Sequence, residues 1–185
     1  MRKEYLEFST GLPSLDGILK GIRPGDNVVW QVDSIDDYIP FVHNFCQTAH
    51  REHQDLIYFR FAEHESLLPS DVKADVHQLY PERGFESMLD EIFRVIEEAG
   101  TGACYVFDCL SDLTADWYSD RMLGNFFRLT CPYLYDFETV AYFALLKDHH
   151  MAQAVNIIHW TAQVVIDVYR NKGTLHVHPQ KVDKR

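Results

Sequence analysis

The chain has 185 residues, 46% of them apolar and 24% charged, with no apolar run of the roughly 18 residues that a membrane-spanning helix needs. Against 17 Lys and Arg stand 28 Asp and Glu, a formal net charge of −11 with no basic cluster to offset it, so nucleic acid is not an expected partner. Four cysteines without a CxxC pair, and an N-terminus without a charged-then-apolar leader, read as a single-core, reduced, cytoplasmic protein.

In chain order, Asn27 to Gln31 is a short apolar run bounded by Pro24-Gly25-Asp26, which predicts a buried strand. A helix is predicted from near Tyr38, with Val42, Phe45, Cys46 and Ala49 on one face, Pro40 in its first turn and a polar end at Arg51 to Gln54. Leu56 to Phe61 is the second strand. The stretch with Pro69, Ser70 and Pro81 reads as loop, and Phe85 to Ala99 recurs at helical spacing until Gly100 stops it. Cys104 to Phe107 is a third strand ending at Asp108, Trp117 to Leu129 a helix, Thr139 to Leu146 a fourth strand, Met151 to Ile158 a short helix and Val164 to Tyr169 a fifth strand. A tight turn at Asn171-Lys172-Gly173 leads into Leu175 to His178, closing a hairpin. The pattern predicts an α/β three-layer sandwich: a mainly parallel sheet, helices on both faces and a C-terminal antiparallel hairpin. Residues 1–178 are expected to form one domain, with 179–185 a polar tail or linker to a further domain.

The opening Ser9-Thr10-Gly11-Leu12-Pro13-Ser14-Leu15-Asp16-Gly17, followed by Gly21-Ile22-Arg23-Pro24-Gly25 and an apolar strand, resembles the KaiC-like branch of the RecA-fold P-loop ATPases. The resemblance covers nearly the whole chain and implies a RecA-like sheet. It places Asp108 at the metal-ligand position of the Walker B strand, with Ser111 close behind. Glu63 and Glu65 fall where the family carries its water-activating acid, and Leu175, Val177, Pro179 and Lys181 where its C-terminal pattern would fall, with Pro179 in the place of a lysine.

The phosphate loop departs from that family. A working loop, Gly-x-x-x-x-Gly-Lys-Ser/Thr, wraps phosphates in backbone N–H groups, neutralises them with Lys and holds magnesium with the hydroxyl. Here the stretch reads Val32-Asp33-Ser34-Ile35-Asp36-Asp37-Tyr38-Ile39. Val32 and Asp37 replace the glycines, Tyr38 the lysine and Ile39 the hydroxyl. A carboxylate about 4 Å from a phosphate oxygen is repelled by about 4 kcal/mol at an effective dielectric of about 20, so Asp33, Asp36 and Asp37 oppose a polyanion. They are expected instead to cap the following helix.

Asp108, Glu63 and Glu65 therefore read as vestiges, the first capping a turn and the others solvated. No cofactor is expected. His176 and His178 project from one strand face, with His149-His150 near the same edge, and are the candidates for a metal site, although no HExxH supports one. No Ser-His-Asp arrangement can be named, since no Gly-x-Ser-x-Gly elbow is present. The aromatic cluster of Trp117, Tyr118, Phe126, Phe127, Tyr133, Tyr135, Phe137, Tyr142 and Phe143 reads as packing, and as a protein interface where exposed. The expectation is a pseudo-ATPase without catalysis: a regulatory, sensory or assembly module of a larger protein, by resemblance one with a phosphoenolpyruvate-utilising domain. Its partners would be a protein or fused domain, or further copies in a homo-oligomer. The alternatives are an ATPase or kinase with a non-standard phosphate site, and a small-ligand or metal sensor.

Overall fold

The apolar runs assemble into one sheet whose strands are Asn27–Val32 (β1), Leu56–Arg60 (β2), Asp75–Gln78 (β3), Cys104–Cys109 (β4), Val140–Leu146 (β5), Val164–Asn171 (β6) and Thr174–Val182 (β7). The structure, a computed structural model, describes residues 8–183. The seven strands lie in the order β3-β2-β4-β5-β1-β6-β7. All neighbours run parallel except β6 and β7, which form an antiparallel hairpin. The helices are Pro13–Leu19 (α1), Ile35–Arg51 (α2), Phe85–Ala99 (α3), Leu113–Trp117 (α4), Asp120–Asp136 (α5) and Ala152–Thr161 (α6).

Both sheet faces are covered, which is why the central strands are apolar at consecutive positions. On one face Val28, Trp30 and Val32 of β1 and Tyr142 of β5 pack against Tyr38, Phe41, Val42 and Phe45 of α2. On the other, Val29, Phe107 and Phe143 meet Met88 and Ile92 of α3, Phe126 and Phe127 of α5 and Ile158 of α6. The crossovers from β1 and from β4 and β5 thus leave the sheet on opposite faces, which opens a crevice beyond the strand C-termini.

The family-like opening segment folds into a local knot ahead of α1. The Asp16 carboxylate accepts bonds from Thr10 N (2.9 Å), Thr10 Oγ1 (2.8 Å) and Ser9 Oγ (2.6 Å). Gly11 sits at φ +78°, and a Cβ there would lie 2.4 Å from the Asn44 carbonyl oxygen and 2.7 Å from Thr48 Oγ1, both on α2. Gly11→Ala combines a left-handed φ with a backbone clash and should cost about 2–4 kcal/mol, read as a lowered urea midpoint with unchanged slope.

Several boundaries differ from the sequence reading. α2 starts at Ile35 rather than Tyr38, so Pro40 lies inside the helix, beyond its first turn. The helix expected over Trp117 to Leu129 is two helices: α4 ends at Trp117, Tyr118 adopts φ 49° in solvent, and α5 runs from Asp120 through Pro132 to Asp136. β3 lies in the stretch read as loop; its Asp75, His77 and Gln78 are polar, so no apolar run announces it. The hairpin's second strand continues past His178 through Pro179 to Val182, so residues 179–182 belong to the sheet and are not a tail. A bulge between Pro179 and Lys181 absorbs the irregularity, and an edge strand tolerates the missing proline N–H. Residues 184 and 185 lie outside the described residues.

Candidate functional site at the strand ends

A cavity of about 560 Å³ occupies the crevice beyond β1, β2, β4 and β5, lined among others by Asp33, Ile35, Glu63, His64, Asp112 and His149. This is where an open α/β sheet places its ligand, and of the residues singled out from the sequence Asp33, Ser34, Glu63 and His149 line it.

The phosphate-loop positions do not form a loop. β1 runs to Val32 and α2 begins at Ile35, leaving Asp33 and Ser34 as the whole connection. None of residues 32–39 has a positive φ, so the alternation of backbone hands that cups an anion is missing. Val32 and Tyr38 are fully buried against the sheet, and Ile39 packs against the same core. Val32, Asp37 and Tyr38 thus face the protein's own interior, whereas Asp33, Ser34 and Asp36 are exposed, and Asp33, Ser34 and Ile35 line the cavity.

The expectation that the three aspartates cap α2 holds only in part: Asp36 and Asp37 lie in its first turn, but none of the three is the N-cap. Ser34 is the N-cap, its Oγ accepting the Asp36 N–H at 3.3 Å. Asp33 pairs with Lys147 Nζ at 3.2 Å, and the same ammonium reaches Asp167 at 3.1 Å and the Val168 carbonyl at 2.6 Å. Burial works to lower the Lys147 pKa, and the bonds to Asp167 and Asp33 outweigh it and raise it. Asp37, 2% exposed, takes a forked bond from Arg170 of β6, 2.7 Å from Nε and 2.6 Å from Nη2. Asp33, though paired, and Asp36 both remain exposed.

Asp108 ends up as a structural acceptor within β4. Fully buried, it accepts from the Tyr58 hydroxyl, from Phe61 N at 2.8 Å and from Ala62 N at 2.9 Å, tying the β2 exit to β4. Burial, and then the neighbouring Asp108 charge, push the Tyr58 hydroxyl well above its ordinary pKa, so it stays a donor. His64 Nε2 lies 3.6 Å from Asp108 and 3.9 Å from Asp112. The Asp112 carboxyl is raised, mainly by burial; His64 opposes this, while Asp108 and Glu63 add to it. Glu63 and Glu65 are exposed, and only Glu63 lines the cavity.

The serine–histidine–aspartate geometry that the sequence did not reveal does occur. Ser111 Oγ is 2.7 Å from His150 Nε2, and His150 Nδ1 is 3.0 Å from Asp120 Oδ1. Burial would raise the Asp120 pKa, but its bonds to His150 and to the Met151 N–H lower it. Ser111 also accepts the Leu146 N–H at 2.9 Å, and neither it nor His150 lines the cavity. The trio joins the ends of β4 and β5 to the starts of α5 and α6. It ties these loops together. Its members are far apart in sequence, and only the Ser111 position close to Asp108 hinted at it.

His176 and His178 lie opposite Tyr169 and Asp167 in the hairpin, and the His176 ring stacks on Tyr169 at 5.4 Å. His150 is engaged in the loop tie, and His149 Nδ1 lies 2.6 Å from the Lys147 carbonyl, so the four histidines form no cluster. Among the described residues no group of three or more His, Cys, Asp or Glu is placed to hold a metal ion. Lys181 Nζ bonds the carbonyls of His159, Trp160 and Ala162 at the end of α6 and pairs with Asp183. Of the aromatic cluster, Phe126, Phe127, Tyr142 and Phe143 are buried, while Tyr118 and Tyr135 are exposed. No helix among the described residues is long and apolar enough to cross a membrane. No protein-family model matches the chain, and no curated protein does.

Proposed function

We propose that this is a KaiC-like, RecA-fold domain whose nucleotide site has become part of its core, and that it acts as a non-catalytic regulatory, sensory or assembly module. The observation that carries this reading is the burial of Val32 and Tyr38 at the positions of the first glycine and the lysine, with a two-residue connection between β1 and α2. A phosphate chain would have to displace the side chain of Tyr38 and break the Asp37–Arg170 and Asp33–Lys147 pairs. A partner domain, including a phosphoenolpyruvate-utilising one, is the natural recipient of its signal on the same resemblance. Isothermal titration with ATP and magnesium should give no heat of binding. Micromolar affinity would overturn the proposal.

The cavity favours a second reading, a small-ligand sensor, because a roughly 560 Å³ space with convergent carboxylates and imidazoles is of ligand-binding size. A thermal-shift screen separates the two: a ligand that binds the native state raises the midpoint as its concentration rises, and a pure scaffold shows no such shift.

A further inference from the structure

The sheet ends on one side in β7, the longest strand, whose outer edge has no neighbour in the described chain. Such an edge presents unpaired N–H and C=O groups, and proteins usually interrupt it with proline, charge or a bulge. Here all three devices fall in the second half: Pro179, the bulge before Lys181, and Lys181 itself, folded back onto the end of α6. The first half, Thr174 to His178, carries none of them.

Hairpin geometry identifies the free groups. Asn171 and Thr174 flank a two-residue turn in which Lys172 (φ 49°) and Gly173 (φ 82°) are both left-handed, the type I′ arrangement. The pair next to such a turn exchanges both main-chain bonds, and the pattern alternates along the ladder. Thr174, His176 and His178 therefore bond inward to β6, while the N–H and C=O of Leu175 and Val177 point outward. The Val168 carbonyl agrees with this alternation: opposite Val177 in the register, it turns away from β7 to meet Lys147.

We propose that Thr174–His178 pairs antiparallel with the same segment of a second copy of this chain, about a two-fold axis at His176. The occupant follows from the edge itself. The available stretch is bounded by the turn on one side and Pro179 on the other, so a partner running antiparallel in full register has its centre at residue 176. That register sets Leu175 opposite Val177 of the second copy, and the outward groups of both then form four main-chain bonds. It also adds the half-buried Leu175 and Val177 side chains to one shared apolar row, and on the other face brings the two Tyr169–His176 stacks side by side. The opposite edge, β3, has only four residues, so it does not match this stretch. Charge permits the approach, since residues 168–182 contain no Asp or Glu in a chain with 28 of them, and Arg170 and Lys181 are paired internally.

Sedimentation equilibrium on the full chain tests this. The mass should rise from one chain to two with micromolar-range affinity, as suits a small interface, and amide exchange at Leu175 and Val177 should slow as the dimer fills. Val177→Pro deletes two of the four intermolecular bonds without touching the bonds to β6, and should weaken association about tenfold or more. His176→Glu, at an exposed position, sets two carboxylates face to face across the axis and should leave a folded monomer. A mass of one chain up to millimolar concentration, growth beyond two chains, or a dimer indifferent to both variants would overturn the proposal.

Discussion

Tyr38→Lys, which puts a lysine where the KaiC-like resemblance would place one, should leave the domain largely unfolded and still unable to bind ATP. Tyr38 is fully buried, with its ring 6.4 Å from that of Trp30 inside the α2-facing core. Losing a buried aromatic ring costs about 3–5 kcal/mol, and an ammonium without a partner in the same place costs several more. Folded domains have only about 5–15 kcal/mol in hand. Urea denaturation followed by circular dichroism reads the result, and Tyr38→Phe is the control. The Tyr38 hydroxyl has no hydrogen-bond partner among the described residues, so its removal should be neutral or slightly stabilising. A Tyr38→Lys protein that unfolds cooperatively at the parent's urea midpoint would show that the start of α2 is not packed as described.

Asp108→Ala should destabilise the protein by about 3–5 kcal/mol in the absence of any nucleotide, because it strands three buried or half-buried donors at once: the Tyr58 hydroxyl and the Phe61 and Ala62 amides. The loss propagates, since the Tyr58 oxygen also accepts the amide of the fully buried Leu67. Tyr58→Phe removes one donor and should cost about 1–2 kcal/mol. This ordering separates the two roles an aspartate at a strand end can have. A residue kept for magnesium could be neutralised with little effect on folding, whereas one kept for the chain's own amides could not. Equal stability of Asp108→Ala and the parent would return Asp108 to the list of ligand-binding residues.

The layered α/β sheet and its hairpin were legible because apolar runs of strand length alternated with helical periodicity, most clearly in Phe85 to Ala99. Elements without that signal were not: β3 is short and polar, and Tyr118 gives no sequence warning of its left-handed turn. That residues 32–39 carry no glycine, lysine or Ser/Thr hydroxyl at the corresponding phosphate-loop positions could be read from Val32, Asp37, Tyr38 and Ile39 as residue types. The ion pairs made there could not, because Arg170 and Lys147 reach Asp37 and Asp33 from the ends of other strands of the sheet. The Ser111–His150–Asp120 tie was hidden for the same reason, as local pattern carries no record of long-range pairing.

The ammonium of Lys181 has a consequence for where this folding unit stops. Three carbonyls at the end of α6 depend on a side chain delivered from a strand beyond the proline. Cutting the chain after His178, where its polar character suggests a safe border, would strip a helix terminus of its counter-charge and remove the second half of β7. Truncations and fusions should therefore retain β7 together with Asp183, whose amide bonds the Gln163 carbonyl and whose carboxylate pairs with Lys181.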